Sequence, residues 1–597
     1  MLLENGPSAY GRRLPDAKVV WDGNVLRSKE FDDIYFHVGD GLAETYHVFL
    51  DGTDFVRRLH PSSVHHVIET GFGTGLNFLA TWSCFREHAP STARLRFASI
   101  EGYPLELDIL SDIHKVWPEL GELTRALQAK MPPRWRGVHH CFFDGGRVEL
   151  ILIYAPIDEV LGHYDLKADT IFLDGFSPSK NPDMWSEKAL TALADSLLPE
   201  GRLATFTAAG HVRRQLSAAG LQVDKKPGFG RKRDMTCATK PGGKKLVRSN
   251  PEVNILGTGI AAVSVARQLS HFGLNPTLFE PAGELFVGAS GNGVANQLPR
   301  LGLDNSPAHR FAQASFAFAR GWATEEGFCL GQSGVHLATD EKSHKRFQTI
   351  SEQNWPEDYL VFIHGDALHK LVGFSHPWGG LLHRKAGSVD VRGWLAHALS
   401  QWEVKFGCPE KDDEKLLVIA QGSKSKQHYH DLQPYLPLQY PAGQISIMPS
   451  QGLVGDIALS YGGYFTPAKD GEHIFGATFE HNRLEDNHTI NPLGHEHNWS
   501  LLPSELQKLL EPFSPHDLKG RVSFRVSARD RLPAIGRLDE RRYLITALGS
   551  RGMTYGPYAG YLLACDIMGY PSFAPLDVQQ SLDWQRFARR DKQQAVL

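Results

Sequence analysis

Two glycine-rich loops of different kinds constrain this chain more than any other feature. The first is Val67-Ile68-Glu69-Thr70-Gly71-Phe72-Gly73-Thr74-Gly75, and the second is Val253-Asn254-Ile255-Leu256-Gly257-Thr258-Gly259-Ile260-Ala261-Ala262. Each follows an apolar strand-like run and opens a helix-like one, the context that gives a glycine pattern its meaning. A strand, a tight turn and a helix start together cradle a nucleotide-like group at the helix N-terminus. Two such units imply two wound α/β sheets, two cofactors and two reactions. With 58 glycines in the chain, a three-glycine pattern of fixed spacing arises by chance in about half of such sequences, so the neighbours of each loop must decide its meaning.

At 597 residues the chain exceeds what one core supports, and at least two domains are expected. Up to about Lys240, strand-like runs at 66–69, 95–100, 170–174 and 202–206 alternate with helix-like stretches such as 186–198 and 211–219. That alternation is the mark of a parallel sheet wound with helices. Pro241-Gly242-Gly243-Lys244-Lys245 breaks both periodicities and reads as a linker. We therefore expect one domain over 1–244 and a second over 250–597. The second carries an inserted antiparallel substrate sheet and ends with strand 543–548, glycine loop 549–552 and helix 558–568.

Composition excludes several classes. No run approaches the ~18 apolar residues of a membrane span, and the start lacks the basic-then-apolar order of a signal peptide. Six scattered cysteines without a Cys-x-x-Cys pair argue against structural zinc and a disulfide framework, and fit a reducing cytoplasm. We expect no metal, no membrane and a monomer. Net charge is −4, so the whole protein is no basic polyanion binder. Between Lys225 and Arg248, however, nine basic residues stand against the single acid Asp234. Arg231, Lys232, Arg233, Lys244 and Lys245 are the candidates for an electrostatic footprint; a solvated hairpin and linker is the bland alternative.

The first loop is followed by strand-like Leu95-Arg96-Phe97-Ala98-Ser99-Ile100, which ends at Glu101, where a carboxylate can take a ribose hydroxyl pair. Glu69 lies two residues before Gly71, where a carboxylate repels a pyrophosphate but suits the ammonium of S-adenosylmethionine (SAM). Methyl transfer is favoured over nicotinamide binding on that ground. Asp174 ends the strand Thr170-Ile171-Phe172-Leu173 and should face the transferable methyl, because ligands of wound sheets bind outside strand carboxyl ends. A carboxylate there can orient an amine nucleophile and ease loss of its proton. Alternatively, Asp174 caps its own turn.

In the second loop Ala262 replaces the third glycine, and Glu280 ends the following strand at the offset of a ribose contact. Alone, this suits a nicotinamide or a flavin dinucleotide. The returning loop with Gly549, Arg551 and Gly552 favours FAD, with Arg551 placed to stabilise negative charge on the reduced ring. The stretch from Arg525 to Gly536 is dense in arginine after a strand, which suits either a small carboxylate or structural ion pairs.

At this point longer motifs become specific. The run from Asp174 to Trp185, Gly228-Phe229-Gly230-Arg231-Lys232-Arg233-Asp234-Met235, the early runs 31–36 and 48–50, 288–292, Ala442-Gly443-Gln444 and 548–552 resemble the family of bifunctional tRNA 5-methylaminomethyl-2-thiouridine biosynthesis proteins. The resemblance covers nearly the whole chain. It implies a Rossmann-like SAM-dependent methyltransferase fused to an FAD-binding Rossmann domain of the glycine-oxidase and amine-oxidase type. The oxidoreductase, acting on a CH–NH group, would remove the carboxymethyl group of 5-carboxymethylaminomethyl-uridine in the anticodon, leaving a primary amine. The methyltransferase would then methylate that nitrogen. The resemblance assigns Arg525 to the substrate carboxylate, Asp174 to the amine, and residues 228–233 with the following lysines to tRNA. The chain departs from the family by placing Ala295, Asn296 and Gln297 after the 288–292 loop, where a glycine usually stands first; contacts of 295–297 with flavin stay open. The rival expectation is a fused oxidase and N-methyltransferase acting on a free small amine.

Overall fold

Strand β1 (Val64–Thr70) is buried at every position, which is what a strand covered on both faces requires. It lies inside an eight-stranded sheet completed by β2 (Arg94–Glu101), β3 (Gly137–Phe143), β4 (Val148–Tyr154), β5 (Ala168–Phe172), β6 (Leu197–Thr205), β7 (Gln222–Pro227) and β8 (Asp234–Thr239). The computed structural model describes residues 13–595, apart from 24, 37–39, 231, 244–249, 411–413, 429–435, 451, 453–454, 482, 484–486 and 512. The spatial order is β7-β8-β6-β5-β1-β2-β4-β3. Strands β6, β5, β1, β2 and β4 run parallel, while β3 pairs antiparallel with β4 and β8 with both neighbours. Helix α1 (Leu76–His88) follows β1. The chain passes from β1 to β2 on one side and reaches β5 on the other, so a crevice opens at the carboxyl ends of β1 and β5.

The second sheet repeats the logic with β9 (Val253–Leu256), β10 (Thr277–Glu280), β11 (Val404–Phe406), β12 (Leu416–Ile419), β13 (Ala534–Arg537) and β14 (Arg542–Thr546), in the order β11-β10-β9-β12-β14-β13. All pairings are parallel except the β13–β14 hairpin. Helix α2 (Ile260–His271) leaves β9, α3 (Pro307–Glu325) follows, and α4 (Gly552–Met568) leaves β14.

Helix α4 begins six residues before the expected start and carries Pro557 in its interior. A proline there leaves the carbonyl four residues back without its helical donor. Gln297 supplies the substitute, donating its side-chain amide to the Met553 carbonyl at 2.8 Å. Glycines then let α4 lie close on α2: a Cβ at Gly560 would sit 2.6 Å from the Ser264 Cβ, and one at Gly556 3.0 Å from the Ile260 side chain.

Between β10 and β13 the chain builds a second eight-stranded sheet. It is antiparallel, as expected, except that Gly334–Leu337 and Ala458–Ser460 run parallel. The exception follows from topology, because the chain leaves this sheet to lay down β11 and β12 before returning.

The two halves share a packed interface. Phe142 of β3 meets Phe318 of α3 edge-on at 5.7 Å. Backbone bonds tie 163–165 to 573–576: Asp165 donates to Ala574 at 3.0 Å, and Leu576 to His163 at 2.9 Å. Across the sheet, His66, Arg96 and Glu149 are register partners on β1, β2 and β4. Buried Arg96 donates to Glu149 at 2.6 Å, to the Pro571 carbonyl at 2.7 Å and to the Tyr561 hydroxyl. Burial pushes the Glu149 carboxyl up, but Arg96 and His140 outweigh it and hold it at about 2. A guanidinium and a carboxylate are thus desolvated together between the halves.

Candidate active sites

The first crevice is floored by the Gly71–Gly75 loop, whose glycines all take positive φ (+88°, +51° and +76°). Gly75 needs its bare Cα, since a Cβ there would lie 2.8 Å from the Phe72 ring. Glu101, at the end of β2, accepts from the backbone of Gly73 at 2.9 Å and of Tyr103 at 2.6 Å. The backbone N–H groups of Phe72 and Gly102 also act on this carboxylate.

Glu69 departs from expectation. Its side chain is buried at 0% exposure, accepting from Asn77 Nδ2 at 2.8 Å and from Ser99 Oγ at 2.6 Å. The structure does not bring it to the crevice surface as an ammonium partner, because β1 is covered on both faces. Burial holds its carboxyl well above the usual range, against the hydrogen bonds from Ser99 and Asn77. Glu69 instead anchors Asn77, a residue the sequence reading missed. Asn77 donates its other amide proton to Asp174 Oδ2 at 2.7 Å, and its oxygen accepts from Thr45 Oγ1 at 3.0 Å. The signal was available: Asn77 lies in the first turn of α1, directly after the glycine loop.

Asp174 also accepts from the backbone N–H of Gly175 at 2.8 Å. Burial pushes its carboxyl up to about 6, against the bonds from Gly175 and Asn77, with Glu44 adding to the rise and Lys232 opposing it. That places a carboxylate at the crevice in the range of a general base near neutrality. Phe31 and Phe176 stack at 4.8 Å, and Tyr35 meets Phe176 edge-on at 5.2 Å. Asp33 accepts from the Ser177 backbone at 2.8 Å and Asp32 pairs with Lys180 at 2.7 Å. Segment 31–36 is therefore clamped onto the loop that carries Asp174.

The basic stretch divides. Lys232 pairs with Glu44 at 2.8 Å and lies 4.5 Å from the Phe206 ring, facing the Asp174 crevice. Lys225 pairs with Asp234 at 2.6 Å. Arg233 is 93% exposed, with Asp234 only at 3.9 Å. Arg231, Lys244 and Lys245 lie outside the described residues.

The second crevice opens between β9 and β12. Gly257 has φ +117°, and a Cβ there would lie 2.6 Å from the Ala420 carbonyl oxygen. Gly259 precedes α2 with no side-chain cap, and Ile260 N–H donates to Ser290 Oγ at 3.1 Å. Glu280 accepts from Thr258 Oγ1 at 2.5 Å and from the Ala282 backbone at 3.1 Å. Ala262 is buried within α2. Gly552 comes against Ile260 while Gly549, at φ +59°, donates to the Val526 carbonyl at 2.7 Å. The returning loop thus closes on the start of α2.

Residues 295–297 find structural partners. Asn296 donates to the Leu459 carbonyl at 2.8 Å and accepts from Ser388 Oγ at 2.6 Å. The Gln297 side-chain oxygen is buried without a partner among the described residues. An orphan acceptor beside the returning loop, with a glycine turn that tolerates no Cβ, fits a dinucleotide carrying N–H donors.

The arginine-rich stretch is split in function. Asp530 pairs with Arg586 at 2.8 Å and with Arg590 at 3.3 Å, so part of it is structural. Arg525 donates to the Thr478 carbonyl at 3.1 Å and lies 4.5 Å from the Phe479 ring centroid. Among the described residues no carboxylate comes within ion-pair distance of Arg525 or of Arg551. Burial lowers the pKa of both. Gly443, in the Ala442-Gly443-Gln444 run, makes room for Arg525: a Cβ there would lie 2.3 Å from its guanidinium. Among the described residues no cluster of three or more His, Cys, Asp or Glu side chains is arranged to hold a metal, and no helix is long and apolar enough to cross a membrane.

Comparison with known proteins adds the following. Residues 118–241 match a family described as S-adenosyl-L-methionine-dependent methyltransferase, and residues 252–565 match the FAD dependent oxidoreductase family. The tRNA 5-methylaminomethyl-2-thiouridine biosynthesis bifunctional protein MnmC of Chromobacterium violaceum is 32% identical, across 96% of this chain and 98% of that protein. Its counterpart in Marinobacter nauticus is also 32% identical, across 93% and 95%. The crystal structure of glycine oxidase from Bacillus cereus overlays 54% of this chain and 98% of its own with a TM-score of 0.45 at 19% identity.

Proposed function

The chain belongs to the family of tRNA 5-methylaminomethyl-2-thiouridine biosynthesis bifunctional proteins, and from this we propose that it carries out two successive steps on one wobble uridine. Residues 250–597 form the oxidative unit and residues 1–244 the methylating one. FAD would supply the hydride acceptor for the carbon next to the substrate nitrogen, and SAM would supply the methyl group. Gly257, Gly259, Ala262, Glu280, Gly549 and Gly552 hold the first of these; Gly71, Gly73, Gly75 and Glu101 hold the second, with Glu69 acting from behind through Asn77.

The observation that carries the proposal is the chemical opposition of the two crevices. One presents a guanidinium with no carboxylate partner among the described residues, suited to the carboxymethyl group of the starting base. The other presents a carboxylate held near 6, suited to the primary amine that remains. Arg525 binds and orients the carboxylate by charge-assisted hydrogen bonds. Arg551 adds positive charge beside the cofactor. Asp174 accepts the proton that the amine must lose before its lone pair can attack a sulfonium methyl. Exposed Arg233, with Arg231, Lys232, Lys244 and Lys245, supplies phosphate contacts that position the tRNA. The scattered cysteines support a cytoplasmic setting.

The test uses purified protein and tRNA bearing 5-carboxymethylaminomethyl-uridine, with and without SAM, followed by mass analysis of the wobble nucleoside. The expected result is loss of the carboxymethyl group without SAM and gain of one methyl with it. An unchanged nucleoside from flavin-loaded protein would transfer the assignment to a free small amine.

Asn77 makes a narrower prediction. Asn77→Ala removes a hydrogen bond to ionised Asp174, so the acid limb of the methylation pH profile, expected near pH 6, should move upward by about half to one pH unit. A slower enzyme with the limb unmoved would reduce Asn77 to a structural part of the loop.

A further inference from the structure

Phe479 is 57% exposed, and a single apolar side chain in water needs no explanation by itself. Its setting does. The residues on either side are fixed in the inserted sheet. Thr478 donates its backbone N–H to the Gln444 carbonyl at 3.1 Å, and its hydroxyl accepts from the Gln444 N–H at 2.9 Å. Glu480 and Ala442 exchange both backbone bonds at 2.9 Å. Alternation along an extended backbone sends the ring to the face opposite its two anchored neighbours.

The Arg525 guanidinium lies 4.5 Å from the ring centroid and also holds the Thr478 carbonyl. Gly443 keeps that guanidinium in place by leaving room where a side chain would collide with it. An exposed, rigidly mounted aromatic ring is thus stacked on the cation assigned to the substrate carboxylate. The substrate is a pyrimidine joined to that carboxylate by a short chain, so a carboxylate held at Arg525 brings the base to the vicinity of Phe479.

We propose that Phe479 is the platform on which the substrate pyrimidine stacks while Arg525 holds the carboxylate of the same nucleotide. This inference rests on the assignment of Arg525 made above. It identifies where the oxidative crevice distinguishes a nucleotide from a free N-substituted glycine: both offer a carboxylate to Arg525, but only the nucleotide offers a π-face to the ring. Base–aromatic stacking contributes about 1–3 kcal/mol per base, or roughly 5- to 150-fold in affinity.

The test compares wild-type holoenzyme with Phe479→Ala, Phe479→Leu and Phe479→Tyr. It measures KM for tRNA bearing 5-carboxymethylaminomethyl-uridine and the inhibition constant of acetate, a bare carboxylate competing at Arg525. The expected result is a KM raised about 5- to 150-fold in the alanine and leucine variants and near wild type in the tyrosine variant, with acetate inhibition unchanged. An unchanged KM in the alanine and leucine variants would overturn the platform. A parallel rise in KM and in the acetate constant would also overturn it, by showing that the ring only positions Arg525. Wild-type protein inert toward the tRNA, or indifferent to acetate, would defeat the assignments beneath the inference, an outcome visible before any variant is examined.

Discussion

Asp174→Asn is expected to stop methyl transfer while oxidation continues, so that tRNA leaves the enzyme carrying the primary amine. Asparagine keeps the side chain's size and can still accept from Asn77 or Gly175, but its amide cannot take a proton at any working pH. Loss of a positioned general base costs about 10²- to 10⁴-fold in rate. Because burial pushes the Asp174 carboxyl up to about 6, the wild-type methylation step should also fall as pH drops through that value, reaching about a tenth of its plateau near pH 5. Its basic form is the one that works, so activity is retained above the pKa and lost below it. Nucleoside mass after reaction, with flavin bleaching followed in parallel, separates the two steps. Normal methylation by the asparagine variant would leave Asp174 as a cap on its own turn.

Arg525→Ala is expected to affect the opposite half. Removing a buried guanidinium from a charge-assisted contact costs about 2–5 kcal/mol, or roughly 30- to 5,000-fold in kcat/KM, with most of the change in KM. Methylation of tRNA supplied already as the primary amine should proceed normally. Arg525→Lys should recover only part of the loss, since an ammonium cannot present two parallel donors to a carboxylate. An unchanged KM in Arg525→Ala would remove the carboxylate role.

The sequence made the strand–loop–helix units legible because their chemistry is local. Gly71, Gly73, Gly75 and Gly257 need a bare Cα for reasons contained in their own turns or in one facing carbonyl, and Glu101 and Glu280 fall at strand ends that can be counted. The helix after the returning loop starts six residues before the expected 558, and its interior Pro557 is accommodated by the distant Gln297 amide, bonded to the Met553 carbonyl. Glu69 was assigned outward because its position in the loop is readable, whereas coverage of β1 on both faces is not. Asn77 and Phe479 went unnoticed, and Gly443 stood only as part of a family motif without a role, for the same kind of reason. Each gains its meaning from a partner far away in the chain: Asp174 for the first, Arg525 for the other two.

The row of His66, Arg96 and Glu149 has a consequence for traffic between the two crevices. Halves joined only by a flexible tether could swivel, bringing each catalytic centre in turn to a stationary nucleotide. Here Arg96 and Glu149 ride together on the first half, and swivelling would break the bonds from Arg96 to the Pro571 carbonyl and the Tyr561 hydroxyl, where a hydrogen bond from a charged donor contributes about 1.5–3 kcal/mol. In the proposed sequence, then, the journey belongs to the nucleic acid. The anticodon must leave one fixed address and find the other, and its primary amine is open to solvent and to competing enzymes only while in transit.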